Sequence, residues 1–395
     1  MTKTKLSTAL VSCLAALSLL PSVALAATPD VSGNITSLVS YLQSQQDSSG
    51  QITGFGGETS WTIMGLEAAG IDPNTIENSG NSVVDFLKNN QPDAAATTAW
   101  ERDLLAVTAA GQNPFTFGGV NYVAKVQSFA SANQIGSIAG VNDDIFGVLA
   151  LISAGLSANQ QIISDSVNFI LAHQNSDFGW SYSTSGSSDS NDTAAAVLAL
   201  KAAQDAGFTN SGLDSAITNA VNYLTSLQQA DGGWEYQTGF GTDAASTAWV
   251  IQAVLGDDIV VSNGLNFLVS KQGQNGGIDG GFGIDTFTSS NSLTALAQKS
   301  FPVMVFEGTF EEPNQEEPNQ PTQPDENEPG NENNDPGSDN NEDPKVTGSD
   351  KDGEVLAADT LPNTGFDTSV WFIFGFVGVS FGAVFSLLSE KMFRK

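Results

Sequence analysis

Residues 219–253, NAVNYLTSLQQADGGWEYQTGFGTDAASTAWVIQA, decide the architecture, because they form the clearest copy of a unit that recurs along the chain. Val221, Leu224 and Leu227 fall at helical spacing with Tyr223 beside them. Asp231-Gly232-Gly233 ends that run, and Thr247-Ala248-Trp249 opens a second apolar run. These residues predict a helical hairpin.

Five further segments align beneath it on the aromatic of the first helix: Tyr41, Phe86, Tyr122, Phe169 and Phe267 join Tyr223 at intervals of roughly 35 to 55 residues. A glutamine follows each aromatic by five positions, as Gln46, Gln91, Gln127, Gln174, Gln228 and Gln272. Recurrence at one offset in six segments marks a repeat architecture. The units lie near residues 38–70, 83–111, 120–155, 166–207, 219–256 and 264–300 of a 395-residue chain.

Each second run is small and apolar enough to be buried on every side, whereas each first run keeps one polar face. Six such hairpins predict an all-α fold, an (α/α)6 toroid over residues 27–306. The second helices form its inner ring, and a funnel opens where they begin. An open solenoid is the alternative, and the lack of polar end caps favours closure.

Over roughly residues 38–300 the chain resembles the squalene cyclase and protein prenyltransferase repeat superfamily of α/α toroids. Tyr223, Leu224, Gln228, Gly232 and Trp234 match the turn motif of that family. Phe169, Ile170, Gln174, Gly179 and Trp180 match it with Phe178 in place of the first glycine. The resemblance implies that the six glutamines, with Trp180 and Trp234, are structural: glutamine ties backbone ends, stacks on tryptophan and locks neighbouring hairpins.

Such a ring hosts several chemistries, so each must be sought in particular residues. Cyclases of the family protonate an apolar substrate with the middle acid of Asp-x-Asp-Asp-Thr-Ala. This chain has Asp189-Ser190-Asn191-Asp192-Thr193-Ala194, with Asn191 at the acid's position, and an amide cannot deliver a strong acid's proton. The resemblance puts this loop at the mouth, while helix capping by Asp192 or Thr193 explains the same residues. Asp143-Asp144-Ile145-Phe146-Gly147 lacks the third aspartate of a prenyl-diphosphate motif, and capping explains that pair too. A diphosphate would also need several basic groups, where residues 27–306 hold Arg102 and five scattered lysines. The prenyltransferase zinc set and the cysteine-dependent thioester both require a cysteine, and the single one, Cys13, lies in the leader described below. His173 stands alone, so no metal site is assigned.

Trp61, Trp100 and Trp249 open inner helices and, with Asn191, are the candidates for ligand contact; filling the core is their other role. The acidic, glycine-rich turns SSDSND and QNGGIDGGFGID could hold calcium, although neither is a complete loop motif. No other cofactor is indicated.

The ends carry targeting signals. Lys3 and Lys5, an apolar run over residues 6–20 and Ala24-Leu25-Ala26 describe a signal peptide over residues 1–26. Residues 27–306 carry 25 acidic against 6 basic side chains, a net of -19 within a whole-chain charge of -31, so nucleic acid is excluded as a partner. Residues 307–360 are dense in acid, proline and asparagine and cannot bury a core. They form a spacer reaching at most about 165 Å at about 3.3 Å per residue. Leu361-Pro362-Asn363-Thr364-Gly365, an apolar run over residues 370–388 and then Lys391, Arg394 and Lys395 resemble the Gram-positive cell-wall sorting signal. That resemblance implies a sortase that cleaves after Thr364 and joins it to peptidoglycan; a permanent tail anchor is the alternative.

The chain is therefore expected to be secreted, tethered to the cell wall, and to act as a non-catalytic binding or adhesion module for a glycan, an apolar small molecule or a host surface. One alternative is a cyclase-like or polysaccharide-processing enzyme using Asp189, Asp192, Asp143 or Asp144. Cobalamin binding is a third, weakened because nothing after Phe301 could build the second domain of such carriers. Thr364→Ala is expected to shift the chain from the muramidase-released wall fraction into the membrane fraction, read by immunoblot of the two.

Overall fold

The computed structural model describes residues 28–54 and 57–308. The leader, the acidic spacer, the Leu361–Gly365 pentapeptide and the apolar run at 370–388 lie outside the described residues. Among the described residues no helix is long and apolar enough to cross a membrane.

Twelve α-helices alternate between two layers among the described residues. The outer helices are α1 (Ser32–Ser44), α3 (Val83–Asn89), α5 (Tyr122–Gln127), α7 (Gln161–Ala172), α9 (Leu213–Ser226) and α11 (Asp258–Ser270). The inner helices are α2 (Glu58–Ala68), α4 (Thr97–Ala109), α6 (Asn142–Ser153), α8 (Ser190–Asp205), α10 (Ala244–Ala253) and α12 (Thr286–Leu296). Three antiparallel ribbons of two-residue strands are the only sheet among the described residues, with Glu77 opposite Ser82, Ala130 opposite Ile135 and Trp234 opposite Asp243.

The two layers follow from two burial patterns. In α9, Leu213, Ala216, Ile217, Ala220 and Leu224 are buried at steps of three and four, so one stripe faces inward. In α8, every residue from Asp192 to Leu200 is buried, as expected of a helix with neighbours all round. Apolarity along the whole helix is not required for a place in the inner ring. α12 is buried along its length although Thr288, Ser289, Ser290, Asn291, Ser292 and Thr294 supply most of it.

Each inner helix packs on both ring neighbours, and α12 packs on α2, so the ring closes. At that junction the Thr62 and Ser290 hydroxyls lie 2.8 Å apart, and Gly65 leaves only enough room for Leu293. Ser60 donates to Asp103 (2.7 Å) between α2 and α4, Thr108 to Ser153 (3.1 Å) between α4 and α6, and Lys201 to the Ala253 carbonyl (2.7 Å) between α8 and α10. The solenoid alternative is thereby ruled out.

Glutamine side chains set the outer spacing. Gln228 Nε2 donates to Gly232 O (3.0 Å) in its own turn and to Val260 O (2.8 Å) in the next hairpin. Gln46 bridges Gly50 O and Ile76 O, Gln174 bridges Phe178 O and Ala216 O, and Gln272 bridges Gly276 O and Asn34 O. The last of these joins the sixth hairpin to the first. The repeat is less uniform than its spelling: Gln91 donates only to Lys88 O of its own helix, and Gln127 makes no such bridge. Trp180 and Trp234 are fully buried and donate their indole N–H to Ile170 O and Leu224 O, both at 2.7 Å, pinning each turn to its own outer helix.

After α12 the chain turns back into the ring. Phe301 packs against Trp61 (5.7 Å between ring centroids) and Trp249 (5.5 Å), and Phe146 lies 6.1 and 5.9 Å from the same two rings. Beyond it, Phe306 N donates to Ser153 O (2.7 Å).

Gln272→Ala is expected to cost about 2 kcal/mol, because two carbonyls lose a shared donor, whereas Gln91→Ala is expected to cost under about 0.5 kcal/mol. Chemical denaturation of the two variants measures the contrast.

Candidate functional site

The loops that lead from outer to inner helices all emerge at one end of the ring, where the inner helices present their N-termini. An aspartate caps three of those helices. Asp189 accepts from Asp192 N (2.8 Å), Asp243 from Ser246 N (2.7 Å) and Asp285 from Thr288 N (2.6 Å). One turn further in, a side chain holds the incoming loop. Thr59, Asp144, Thr193, Thr247 and Ser289 accept from the backbone N–H groups of Ile52, Ile135, Trp180, Trp234 and Ile278, at 2.9 to 3.0 Å. No single-residue motif announced this second set; its signal is a hydroxyl or acid at the same helical position in five units.

The candidate acids gather where α4, α6 and α8 begin. Asp143 Oδ2 accepts from Ser137 N (2.8 Å) and Asp144 Oδ1 from Ile135 N (2.9 Å). Asp192 accepts from Tyr182 N, and the Tyr236 hydroxyl donates to Asp189 Oδ2 (3.3 Å). Sequence reasoning missed the fifth acid, Glu101, which belongs to no motif. It is completely buried, neither carboxylate oxygen has a partner, and the missing Cβ of Gly147 leaves space for Oε1.

Burial shifts these groups towards their neutral forms. Burial, reinforced by the charges of Asp143 and Asp144, pushes Glu101 well above the usual carboxylate range. Burial raises Asp144 to about 7 against the hydrogen bond from Ile135, and raises Asp192 to about 6 against those from Asp189 and Tyr182. Asp189 is raised by burial and by the adjacent Asp192 charge. Tyr182 rises to about 12, chiefly through burial, with Asp143, Asp192 and Glu101 adding to it.

Protonation alone does not make a catalytic acid, because the proton must reach a substrate. Each of the four aspartates is tied to a cap or a loop, and the depression beside Asp189 and Tyr236 holds only about 40 Å³, little more than one water molecule. Asn191, which stands where a cyclase has its acid, is half-buried and accepts from Ser190 Oγ at 3.2 Å.

The three tryptophans lie away from the mouth that the sequence suggested for them. Trp61 and Trp249 meet Phe146 and Phe301 on the ring axis, each under 10% exposed. Trp100 points outward from α4, packs on Tyr122 (5.1 Å between centroids), donates to Asp93 O (2.8 Å) and lies under the Lys125 ammonium. Trp61 and Trp249 became core because a ring of only six inner helices leaves an axis that a few large side chains fill, whereas Trp100 is buried between α4 and the outer helix α5.

His173 packs on Phe169, with Nδ1 2.8 Å from the Phe169 carbonyl. Among the described residues no three metal-ligating side chains come together, and in the calcium-candidate turns Asp279 accepts from the Gly281 and Gly283 N–H groups while Asp189 and Asp285 cap helices.

What the loop end does expose is apolar. Phe282 is 85% and Ile138 75% exposed, and Phe178, Tyr182, Phe240 and Ile284 are also exposed, all on the loops before α6, α8, α10 and α12. The loops before α6, α8 and α10 are joined: Val141 N donates to Tyr182 O (3.0 Å), Thr184 N to Ala139 O (3.0 Å) and Ser190 N to Tyr236 O (2.9 Å). The rings of Tyr236 and Phe240 meet edge to face at 6.2 Å.

No protein-family model matches the chain, and no curated protein is significantly similar to it. Solved structures do share its shape. It is similar to a protein from Actinoplanes (TM-score 0.51, 14% identity, 68% of this chain and 99% of that one) and to a glycosyl hydrolase family 88 protein from Bacteroides vulgatus (TM-score 0.50, 12% identity, 68% and 98%). It also overlays on ent-copalyl diphosphate synthase from Streptomyces platensis (TM-score 0.45, 17% identity, 61% of this chain), spanning 50% of that enzyme's length. At these identities the likeness is one of fold.

Because the folded pKa of Asp144 and of Asp192 exceeds the ordinary value near 3.8, the contribution of each to stability is full below that pH. It is lost as pH rises through about 6 for Asp192 and about 7 for Asp144. Glu101, shifted the same way, gives the cleanest test. Glu101→Gln is expected to raise the thermal midpoint by about 2–4 °C at about pH 7.5 and to bring little gain near pH 4, followed by circular dichroism.

Proposed function

We propose that the chain is a secreted, cell-wall-tethered binding module that presents the loop end of its toroid to a neutral extracellular glycan. The observation that carries this is the contrast between the two parts of the ring. Its axis is filled by Trp61, Phe146, Trp249 and Phe301, while four loops at one end expose Ile138, Phe178, Tyr182, Phe240, Phe282 and Ile284. Exposed apolar residues clustered on one face mark an interaction surface. Rings on loops rich in Ser, Thr and Asn suit the flat faces and hydroxyls of sugars, and the net charge of residues 27–306, -19, disfavours anionic partners. The signal peptide, acidic spacer and sorting signal support display at the wall.

The second reading, an enzyme of the cyclase-like or polysaccharide-processing kind, is favoured by the raised pKa values of Asp144 and Asp192 at the inner-helix N-termini. Glycan-array binding by the ring fragment, residues 27–308, separates the two. Phe240→Ala and Phe282→Ala are expected to weaken binding about tenfold each with the fold intact. Product release from a polyene or a polysaccharide that Asp192→Asn abolishes would overturn the non-catalytic reading.

A further inference from the structure

Four turns of the repeat carry a residue in the left-handed region immediately before the loop enters the ring: Gly50 (φ 92°), Phe178 (φ 73°), Gly232 (φ 88°) and Gly276 (φ 89°). Each gives its carbonyl to the bridging glutamine of its own turn. Three are glycine for two reasons. Only glycine enters this region without strain, and a Cβ would come within 2.2 Å of Ser82 O at Gly50, 2.4 Å of Asn263 O at Gly232 and 2.2 Å of Ser37 O at Gly276. The next outer helix lies too close for any side chain.

At the fourth turn the chain has phenylalanine instead. A bulky residue at positive φ is strained, and this one recovers little by packing, since its side chain stays 47% exposed. Here a real Cβ occupies the place that a carbonyl approaches at the other turns, while Gln174 still reaches Ala216 O of the next outer helix at 3.1 Å. Between α7 and α9 lies a groove of about 410 Å³. Its polar walls come from the amides of Asn168, Gln174, Asn210 and Asn219 and the hydroxyl of Ser215, with Phe178 at one side, and no charged residue lines it. Asn210 Nδ2 donates to Asn168 Oδ1 (3.0 Å) across the groove, which holds both amides in place.

We infer that this groove is a binding subsite for one ring of a neutral saccharide, with Phe178 as the stacking platform and the amides as partners for sugar hydroxyls. Strain retained at an exposed aromatic is expected where the side chain meets a ligand rather than the protein's own core. Uncharged amides suit hydroxyls, each being donor and acceptor, and reject a carboxylate or phosphate, for which the groove supplies no cation. The inference rests on the glycan-binding function proposed above and adds to the loop end, to which Phe178 belongs, a groove between α7 and α9.

The test uses the intact purified chain with chitotetraose, cellotetraose and maltotetraose as neutral ligands and tetragalacturonate as the charged one. Phe178→Gly restores the residue of the other three turns. It is expected to raise the thermal midpoint by about 2 °C and to weaken neutral-oligosaccharide binding about tenfold, while Phe178→Tyr retains binding. A lower midpoint in Phe178→Gly would assign Phe178 to packing and overturn the inference, as would preferential binding of tetragalacturonate. Binding that survives Phe178→Gly but is lost in Phe240→Ala sinks the groove and leaves the loop-end function standing. No binding of any oligosaccharide by the unaltered chain sinks both.

Discussion

A single planar amide, repeated around the ring, makes the rest of this structure possible. Gln46, Gln174, Gln228 and Gln272 each spend both Nε2 protons on carbonyls of two consecutive hairpins. One donor thus ends an outer helix, shapes the turn after it and sets how closely the next hairpin stands. Buried backbone carbonyls need partners, so the bridge satisfies groups that the hairpins would otherwise leave orphaned. Because Gln272 reaches Asn34, the device that spaces neighbours also unites the two ends of the array.

Closure has a chemical consequence for the acids. Packing the N-termini of α4, α6 and α8 together removes Glu101, Asp144 and Asp192 from water, and each then holds its proton more firmly. The same packing gives Asp144 and Asp189 backbone N–H groups to accept from, so these two do structural work whatever their charge. Glu101 differs because it accepts from nothing. Its environment stabilises the neutral acid by default, through desolvation and adjacent negative charge.

The hairpin count, the layer assignment and the positions of the bridging glutamines were legible in the sequence, since they follow from spacing and from residue types with one dominant local role. Sequence spacing could not distinguish Gln91 from Gln228, because the bridge depends on whether the next hairpin offers a carbonyl within reach. The tryptophans were legible as inner-helix residues but not as axis-fillers: Trp61 and Trp249 face the centre and Trp100 turns outward, a difference of helix rotation that a shared Thr-(Ala or Ser)-Trp spelling conceals. Phe301 lies beyond the last repeat in the short stretch FPVMVF, which carries no helical period, so nothing in it announced a return into the ring. Of the candidate site, the loop end was legible through its glycine-rich turns, while Glu101 escaped notice as an isolated glutamate in an ordinary helical run.

The path of the final segment decides how the ring bears mechanical load. Tension applied from the carboxyl-terminal side does not peel α12 from its neighbours. It arrives first at the backbone bond from Phe306 to Ser153, on α6, and then at Phe301, wedged between side chains of α2 and α10. Pulling therefore strains the middle of the assembly before its seam, and the seam between first and last hairpins is shielded for as long as that hook holds.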